Sequence, residues 1–204
     1  MIAGIDEAGR GPVLGPMVVA GVAVASDEAL VRINVRDSKC LSPSRREQLA
    51  KKIGAIAKSE IIVVPAETID SRCESLNDVE ARLFAQLIER LKPTVVYADA
   101  VGPEESFSRK ILSHLSYTPS VIAEHNADSR YPVVSAASIL AKVRRDEGIR
   151  QIEGEIGEPI GSGYPADPIT KKFLAGYVAK HNALPPHTRK SWATAKRLLQ
   201  QKIL

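Results

Sequence analysis

The first fifteen residues, MIAGIDEAGRGPVLG, constrain this chain more than any other stretch. Isoleucines among small residues predict a short buried strand that starts at Ile2. The strand runs into two adjacent acids, Asp6 and Glu7, and then into a glycine-containing turn over residues 8–12. Paired carboxylates suit Mg²⁺ or Mn²⁺ better than zinc. The pattern predicts a divalent-cation site beside a phosphate, and the alternative is a strand end with solvated acids.

Composition limits the class of protein. A chain of 204 residues with 44% hydrophobic content can bury one substantial core, with room for a small appendage. A mean hydropathy of -0.09 predicts a water-soluble chain without a membrane span, and a net charge of +4 permits nucleic acid without demonstrating it. Cys40 and Cys73 are far apart and match no zinc spacing, which favours reduced thiols in the cytoplasm. We expect no targeting segment before the first strand.

Strand and helix patterns alternate along the chain, which predicts an α/β fold. Predicted strands after the first cover residues 17–24, 60–65, 94–99 and 120–124. Predicted helices begin at either Ser42-Pro43 or the capping box Ser44–Glu47, cover 75–91 and 103–115, begin again at Pro132, and cover 168–181 and 193–203. The first two strands are close enough in sequence to be antiparallel neighbours. The clearest break, at 161–165, predicts a domain over 1–160 and a helical segment over 161–204.

Four acids stand where this fold brings strand ends together. Asp6 and Glu7 end the first strand, Asp99 ends the fourth, and Asp128 closely follows the fifth. If the first and fourth strands are neighbours, these carboxylates share one edge and repel one another unless cations neutralise them. Two divalent ions about 3.5–4 Å apart can stabilise an in-line phosphoryl displacement. The alternative is four unrelated surface acids, and spacing alone does not decide between the two.

An ordered set of motifs covers nearly the whole chain. They are GIDEAGRG at 4–11, DSK at 37–39, YAD at 97–99, EHNAD at 124–128, AASILAKV at 136–143, GSGYPADP at 161–168 and RKSW at 189–192. In this order they resemble ribonuclease HII, and the compact length is similar to that of the archaeal branch of the family. The resemblance implies a ribonuclease H-like fold, with a mixed five-stranded sheet flanked by helices and a C-terminal helical segment beside the active-site groove.

The resemblance also implies an activity and a cofactor. The activity is endonucleolytic cleavage of RNA in RNA–DNA hybrids and at single ribonucleotides embedded in duplex DNA, leaving 3′-hydroxyl and 5′-phosphate ends. By resemblance, the metal-binding and catalytic carboxylates, which hold Mn²⁺ or Mg²⁺, are Asp6, Glu7, Asp99 and Asp128. Such an enzyme has RNA–DNA hybrid and ribonucleotide-containing duplex DNA as its partners.

Further residues match the family's substrate contacts. Gly9, Arg10 and Gly11 match the loop that reads a ribonucleotide 2′-hydroxyl, the group that separates RNA from DNA. Tyr164 corresponds to the tyrosine near the ribo–deoxyribo junction, where its ring can stack on a deoxyribose. The alternative for Tyr164 is an aromatic plug in a glycine-rich turn. Lys39, Lys142 and Arg145 are candidate phosphate contacts, whereas cations on helices are commonly just solvated.

The chain departs from the family pattern at two positions. Cys40 and Asn126 stand where the family often has lysine, which bears on substrate affinity rather than on the chemistry. The C-terminal residues 198–204 lack the aromatic pair of a sliding-clamp-binding tail, so we expect no clamp partner, and we expect a monomer. Two other function classes remain open at this point: a structure-specific DNA nuclease of the same fold, and a non-catalytic nucleic-acid binder. Four intact acids argue against the binder, because acids facing phosphate weaken binding.

Overall fold

The computed structural model describes residues 1–35 and 41–200, and within them a five-stranded sheet flanked by helices. The strands are β1 (Ile2–Ala8), β2 (Met17–Val24), β3 (Lys58–Val64), β4 (Val95–Asp99) and β5 (Ser120–Glu124). The helices are α1 (Glu28–Arg32), α2 (Pro43–Ile56), α3 (Ala66–Asp70), α4 (Leu76–Leu91), α5 (Glu104–Ser113), α6 (Ala127–Arg130), α7 (Pro132–Ile156), α8 (Pro168–His181) and α9 (Ala193–Gln200). Lys39 and Cys40 lie outside the described residues, so the expectations placed on them stay predictions.

The sheet is mixed, in the order β3-β2-β1-β4-β5. β1 pairs antiparallel with β2, as the short connection predicts, with Asp6 opposite Ala20. β1 also pairs parallel with β4, and β4 pairs parallel with β5. The two strands that end in acids are therefore neighbours running the same way, so their carboxyl ends meet at one edge of the sheet. This confirms the predicted ribonuclease H-like arrangement of five strands.

Capping residues explain where the longer helices begin. The Ser42 side chain accepts a hydrogen bond from the Arg45 amide at the start of α2, which decides for Ser42-Pro43 over the later capping box. Ser75 caps α4 in the same way, through the Asp78 amide. α4 ends where Lys92 adopts a left-handed conformation, one residue before Pro93. Asp167 caps α8 through the Ile169 amide.

Three short helices were not expected from the sequence: α1, α3 and α6. Each has five residues or fewer, and so short a segment cannot display a helical hydrophobic repeat. β3 also begins two residues before its predicted start at Glu60. Only Val64 of this strand is buried and its other residues are exposed or partly buried, so no clear alternation marks where the strand begins.

Two compact units make up the chain. The first comprises 1–8, 18–62 and 74–143, and the second comprises 9–17, 63–73 and 144–204. These units do not divide at residue 160, and the assignment of a catalytic domain over 1–160 stays a prediction. In the described residues, none of the helices combines the length and apolar character needed to cross a membrane.

The core of the first unit forms between the sheet and the helices that cover it. Small and branched residues of α7 pack there with residues of β2 and α2. Gly4 of β1 shows how close this packing is, because a Cβ built on it would lie 2.2 Å from the carbonyl carbon of Val133. The small residues predicted to bring α7 onto the sheet therefore do so, and they allow the helix to pack closely against β1.

Candidate active site

The acidic edge of the sheet is built from β1 and β4. Asp6 is almost fully buried, with 4% of its surface exposed, while Glu7 and Asp99 are partly buried. The Glu7 amide donates to Asp6 Oδ1 over 2.7 Å, which fixes the Asp6 carboxylate against its own strand end. A buried carboxylate at a strand end, beside two more acids, is a costly arrangement that an ordinary surface turn does not need.

The pKa of Asp6 reflects the charges of the acids around it. Burial raises the pKa of Asp6 well above its ordinary value, and the negative charges of Glu7 and Asp99 raise it further. A hydrogen bond from Ser138 and the positive charge of Lys142 act in the opposite direction. The structure thus brings Asp6, Glu7 and Asp99 together in one electrostatic cluster, as the strand order predicts.

α7 supplies the polar groups that face Asp6. Ser138 and Lys142 are four residues apart and so share one face of the helix. Lys142 Nζ donates to Ser138 Oγ, and both groups stabilise the ionised form of Asp6. Lys142 is therefore directed toward the acids rather than being solvated on an outer face. Its predicted contact with a phosphate stays a prediction.

Asp128 is joined to this edge through the backbone of α6. The Ala127 amide donates to Asp99 Oδ1 over 2.8 Å, and Asp128 is the next residue. Asp128 is buried, with 3% of its surface exposed. Asn126 precedes this turn with a φ of 56°, in the left-handed region that asparagine tolerates better than most residues. The departure at Asn126 thus has a local use in turning the chain into α6.

The donor chemistry of this edge fits a hard divalent cation. Three mutually repelling carboxylates, one of them buried, gain from a cation that neutralises them, and oxygen ligands suit Mg²⁺ and Mn²⁺. Among residues 1–35 and 41–200, no group of three or more histidine, cysteine or acidic side chains is already arranged around a common metal position. The fit rests on the charge and type of the donors.

The second unit holds the glycine loop, residues 9–15. Gly9 adopts a φ of +83°, and a Cβ there would lie 2.6 Å from the Pro16 carbonyl oxygen, so glycine is required. The loop is held by Gly163, whose carbonyl accepts from the amides of Val13 and Leu14 over 2.9 and 3.2 Å. Gly163 in turn has a φ of +79° and no room for a Cβ beside the Leu14 carbonyl. The glycine loop and the 161–165 turn therefore fit together as one backbone unit.

Tyr164 lies against this loop. A Cβ built on Gly11 would lie 3.6 Å from Tyr164 Cε1, an ordinary van der Waals distance, and Gly11 has no positive φ. Unlike Gly9, Gly11 thus has no conformational need for glycine in the described structure. Arg145 is buried, donates to the Ser162 carbonyl, and holds its guanidinium over the Tyr164 ring. Tyr164 is 40% exposed, which leaves it surface with which to meet a substrate.

Comparison with known proteins identifies the family. The sequence profile described as ribonuclease HII matches residues 3–195. The chain belongs to the ribonuclease HII family. A ribonuclease HII of Methanocella arvoryzae is 47% identical over 204 residues, covering 97% of this chain and 91% of that protein. The family assignment made from the motifs is confirmed, and with it ribonuclease H activity on RNA–DNA hybrids.

Two solved structures agree with this assignment. Ribonuclease H2 from Pyrococcus horikoshii is 41% identical, with a TM-score of 0.92, and the match covers 98% of this chain and 97% of that one. The ribonuclease HII of Archaeoglobus fulgidus, solved in complex with PCNA, is also 41% identical, with a TM-score of 0.91 and coverage of 97% and 96%. Ribonucleases H depend on divalent metal ions, in keeping with the carboxylate edge. The C-terminal residues 201–204 lie outside the described residues, so the expectation of no clamp partner stays a prediction.

Nothing in the sequence pattern of this ribonuclease HII family member indicates a role for Arg189. Its side chain is fully buried and donates to backbone carbonyls of the glycine loop. The RKSW motif marked the position, but the hydrogen bonds join residues 174 to 180 apart in sequence. No local sequence pattern indicates a contact between residues so far apart.

Proposed function

We propose that this enzyme cuts the RNA strand of RNA–DNA hybrids, and the backbone at single ribonucleotides in duplex DNA, by two-metal-ion hydrolysis. Water supplies the oxygen of the new P–O bond, the P–O3′ bond breaks, and the departing 3′ oxygen takes up a proton. The products carry 3′-hydroxyl and 5′-phosphate ends. The observation that carries the proposal is the buried Asp6 carboxylate at the edge of the sheet, whose pKa is raised first by burial and then by the charges of Glu7 and Asp99.

The acids are the residues to hold the metal. Asp6, Glu7, Asp99 and Asp128 would provide its carboxylate ligands, with Mg²⁺ or Mn²⁺ as the ion. When bound, such ions supply Lewis-acid stabilisation of the attacking and leaving oxygens. The Glu7 amide and Ser138 hold the Asp6 carboxylate in place. The positive charge of Lys142 opposes the raised pKa of Asp6 and so favours its ionised form, which a metal ligand must adopt.

The glycine loop and Tyr164 are the residues to read the sugar. A backbone amide or carbonyl can approach a 2′-hydroxyl closely where the loop is rigid and carries no bulky side chain. Gly9 and Gly163 provide that rigidity through conformations closed to other residues. The exposed Tyr164 ring offers an apolar face for a deoxyribose, where a 2′-hydroxyl would lose its hydrogen-bond partners. Together they support selection of the ribo–deoxyribo junction.

The test is cleavage of a DNA duplex that contains one ribonucleotide, with no metal, Mg²⁺ or Mn²⁺. We expect cleavage with either ion, none after chelation, and a product with a free 3′-hydroxyl that a polymerase can extend. The same duplex with the ribonucleotide replaced by its deoxy form is the matched control and should stay intact. Cleavage of that control, or cleavage in chelator, would overturn the proposal.

A further inference from the structure

Arg189 is the largest side chain that the structure buries completely, and its exposed fraction is 0%. Its guanidinium donates to the glycine loop: Nη2 to the Gly9 carbonyl over 2.6 Å, and Nη1 to the Arg10 carbonyl over 2.8 Å. Nε and Nη2 also donate to the Gly15 carbonyl, over 3.1 and 3.0 Å. One side chain thus connects both ends of the loop.

The backbone around Arg189 fixes its register against the loop. The Arg189 amide donates to the Val13 carbonyl over 2.8 Å, and the Gly15 amide donates to the His187 carbonyl over 2.9 Å. Leu14 and Thr188 form the antiparallel bridge between these two bonds. This short ladder places the Arg189 side chain over the loop in a single position.

The chemistry of the contact favours arginine over other cations. The hydrogen bonds of the guanidinium described above all end on carbonyl oxygens. Burial, followed by the nearby charge of Arg145, lowers the pKa of Arg189 to about 10, so it stays charged at neutral pH. The centroid of the Trp192 ring lies 5.0 Å from Arg189 Cζ, which adds a cation–π contact. A planar guanidinium can serve three carbonyls at once, whereas a lysine ammonium acts as a single point.

Peptide geometry links this contact to the loop's outer side. Every peptide bond in the described residues is trans, so each C=O points opposite to the N–H of the same peptide plane. Because Arg189 draws the Gly9 and Arg10 carbonyls toward itself, the N–H groups of Arg10 and Gly11 are turned away from it. Without a donor on the inner side, each of these peptide planes could rotate and reverse its N–H.

We propose that Arg189 is a positioning residue for 2′-hydroxyl recognition: by binding the Gly9 and Arg10 carbonyls it orients the Arg10 and Gly11 peptides toward the substrate sugar. The inference rests on the proposed function of the glycine loop. It assigns a role in sugar discrimination to a residue that itself is too deeply buried to meet the substrate.

The experiment compares Arg189→Lys with Asp70→Ala, both in an Asp99→Asn background that is expected to bind without cutting. Asp70 is the matched control because it holds the Lys190 and Ser191 amides, next to Arg189, without reaching the loop carbonyls. Dissociation constants are measured for a duplex with one ribonucleotide and for the same duplex with its deoxy form. We expect Arg189→Lys to reduce the preference for the ribonucleotide by about tenfold, as a misplaced hydrogen bond would. Asp70→Ala should keep that preference.

The outcomes separate the possible failures. If Arg189→Lys weakens both duplexes equally, or lowers stability while keeping the preference, Arg189 is merely structural and the proposal is wrong. If the Asp99→Asn parent shows no preference, the proposed reading of the 2′-hydroxyl fails first. If Arg189→Lys does not fold, NMR of the Asp99→Asn parent provides the test. The signal of the Gly11 amide should shift when the ribonucleotide duplex binds, and should shift much less when its deoxy form binds. Equal shifts would overturn the proposal.

Discussion

The guanidinium of Arg145 lies over the ring of Tyr164, with 5.2 Å between Arg145 Cζ and the ring centroid. Arg145 is 6% exposed and donates to the Ser162 carbonyl, while Tyr164 is 40% exposed. A buried cation thus supports one side of an exposed ring. This contact restrains the ring from one side, which reduces the ordering that stacking on a sugar would cost.

The first prediction concerns Tyr164. Replacing it with alanine should lower kcat/KM more on a duplex with one ribonucleotide than on a continuous RNA–DNA hybrid, because only the former has a deoxyribose at each side of the ribonucleotide. We expect Tyr164→Phe to be milder on both substrates, since it keeps the ring. Steady-state kinetics of the two variants on both substrates check this. Equal losses on both substrates for Tyr164→Ala would make the tyrosine a structural plug.

The second prediction concerns Lys142. If its ammonium meets a phosphate, Lys142→Ala should weaken binding to hybrid and to plain duplex DNA alike, and reduce the salt slope of log Kd by about one unit. The control is Lys52→Ala, an exposed lysine on α2. Binding is measured across a range of salt concentrations. An unchanged slope would show that the Lys142 ammonium does not meet a phosphate.

Asp167 provides a prediction on pH. Hydrogen bonds from the Ser162 side chain and amide, together with the cap on the Ile169 amide, lower the pKa of Asp167 to about 2. An aspartate in the unfolded chain has a pKa of about 3.9. The ionised form therefore stabilises the fold above about pH 4, and this contribution is lost as the pH falls through about 2.

Asp167→Ala should accordingly lower the free energy of unfolding by about 1 kcal/mol at pH 7, the usual effect of losing an N-cap. The difference from wild type should shrink as the pH is lowered from about 4 to about 2. Urea unfolding at pH 7, 4 and 2.5 measures it. Asp167→Asn keeps a capping oxygen without the charge, so its free energy of unfolding at pH 7 should lie between those of wild type and Asp167→Ala. A difference that does not change with pH would contradict the account.

The sequence predicts the sheet and its acidic edge because the signals for them are local. β-branched runs mark β2 and β4, and acids end β1 and β4. That β1 and β4 are neighbours was only a condition of the sequence argument, and their parallel pairing in the structure meets it. Ser42, Ser75 and Pro168 mark helix starts for equally local reasons. The assignment of Asp6, Glu7, Asp99 and Asp128 to metal binding remains a prediction that this geometry supports.

What the sequence does not reveal depends on distant contacts. The hydrogen bonds from Arg189 to the glycine loop, and from Asp70 to the Ser191 amide, join segments more than one hundred residues apart. The burial of Arg145 is similarly hidden, since a cation in a basic run usually faces solvent. α1, α3 and α6 are too short for any periodic pattern. In each case tertiary packing, rather than local propensity, sets the structure.

The central claim is that the acids at the ends of β1 and β4 form the hydrolytic site, and Asp99→Asn tests it most directly. The substitution keeps Oδ1, which accepts from the Ala127 amide, but removes a negative charge that raises the pKa of Asp6. The measurement is the single-turnover rate on a duplex with one ribonucleotide at saturating Mn²⁺, with unfolding measured in parallel. We predict a rate lower by about two orders of magnitude or more, with stability equal to or above that of wild type. A near-wild-type rate in the folded variant would contradict the account.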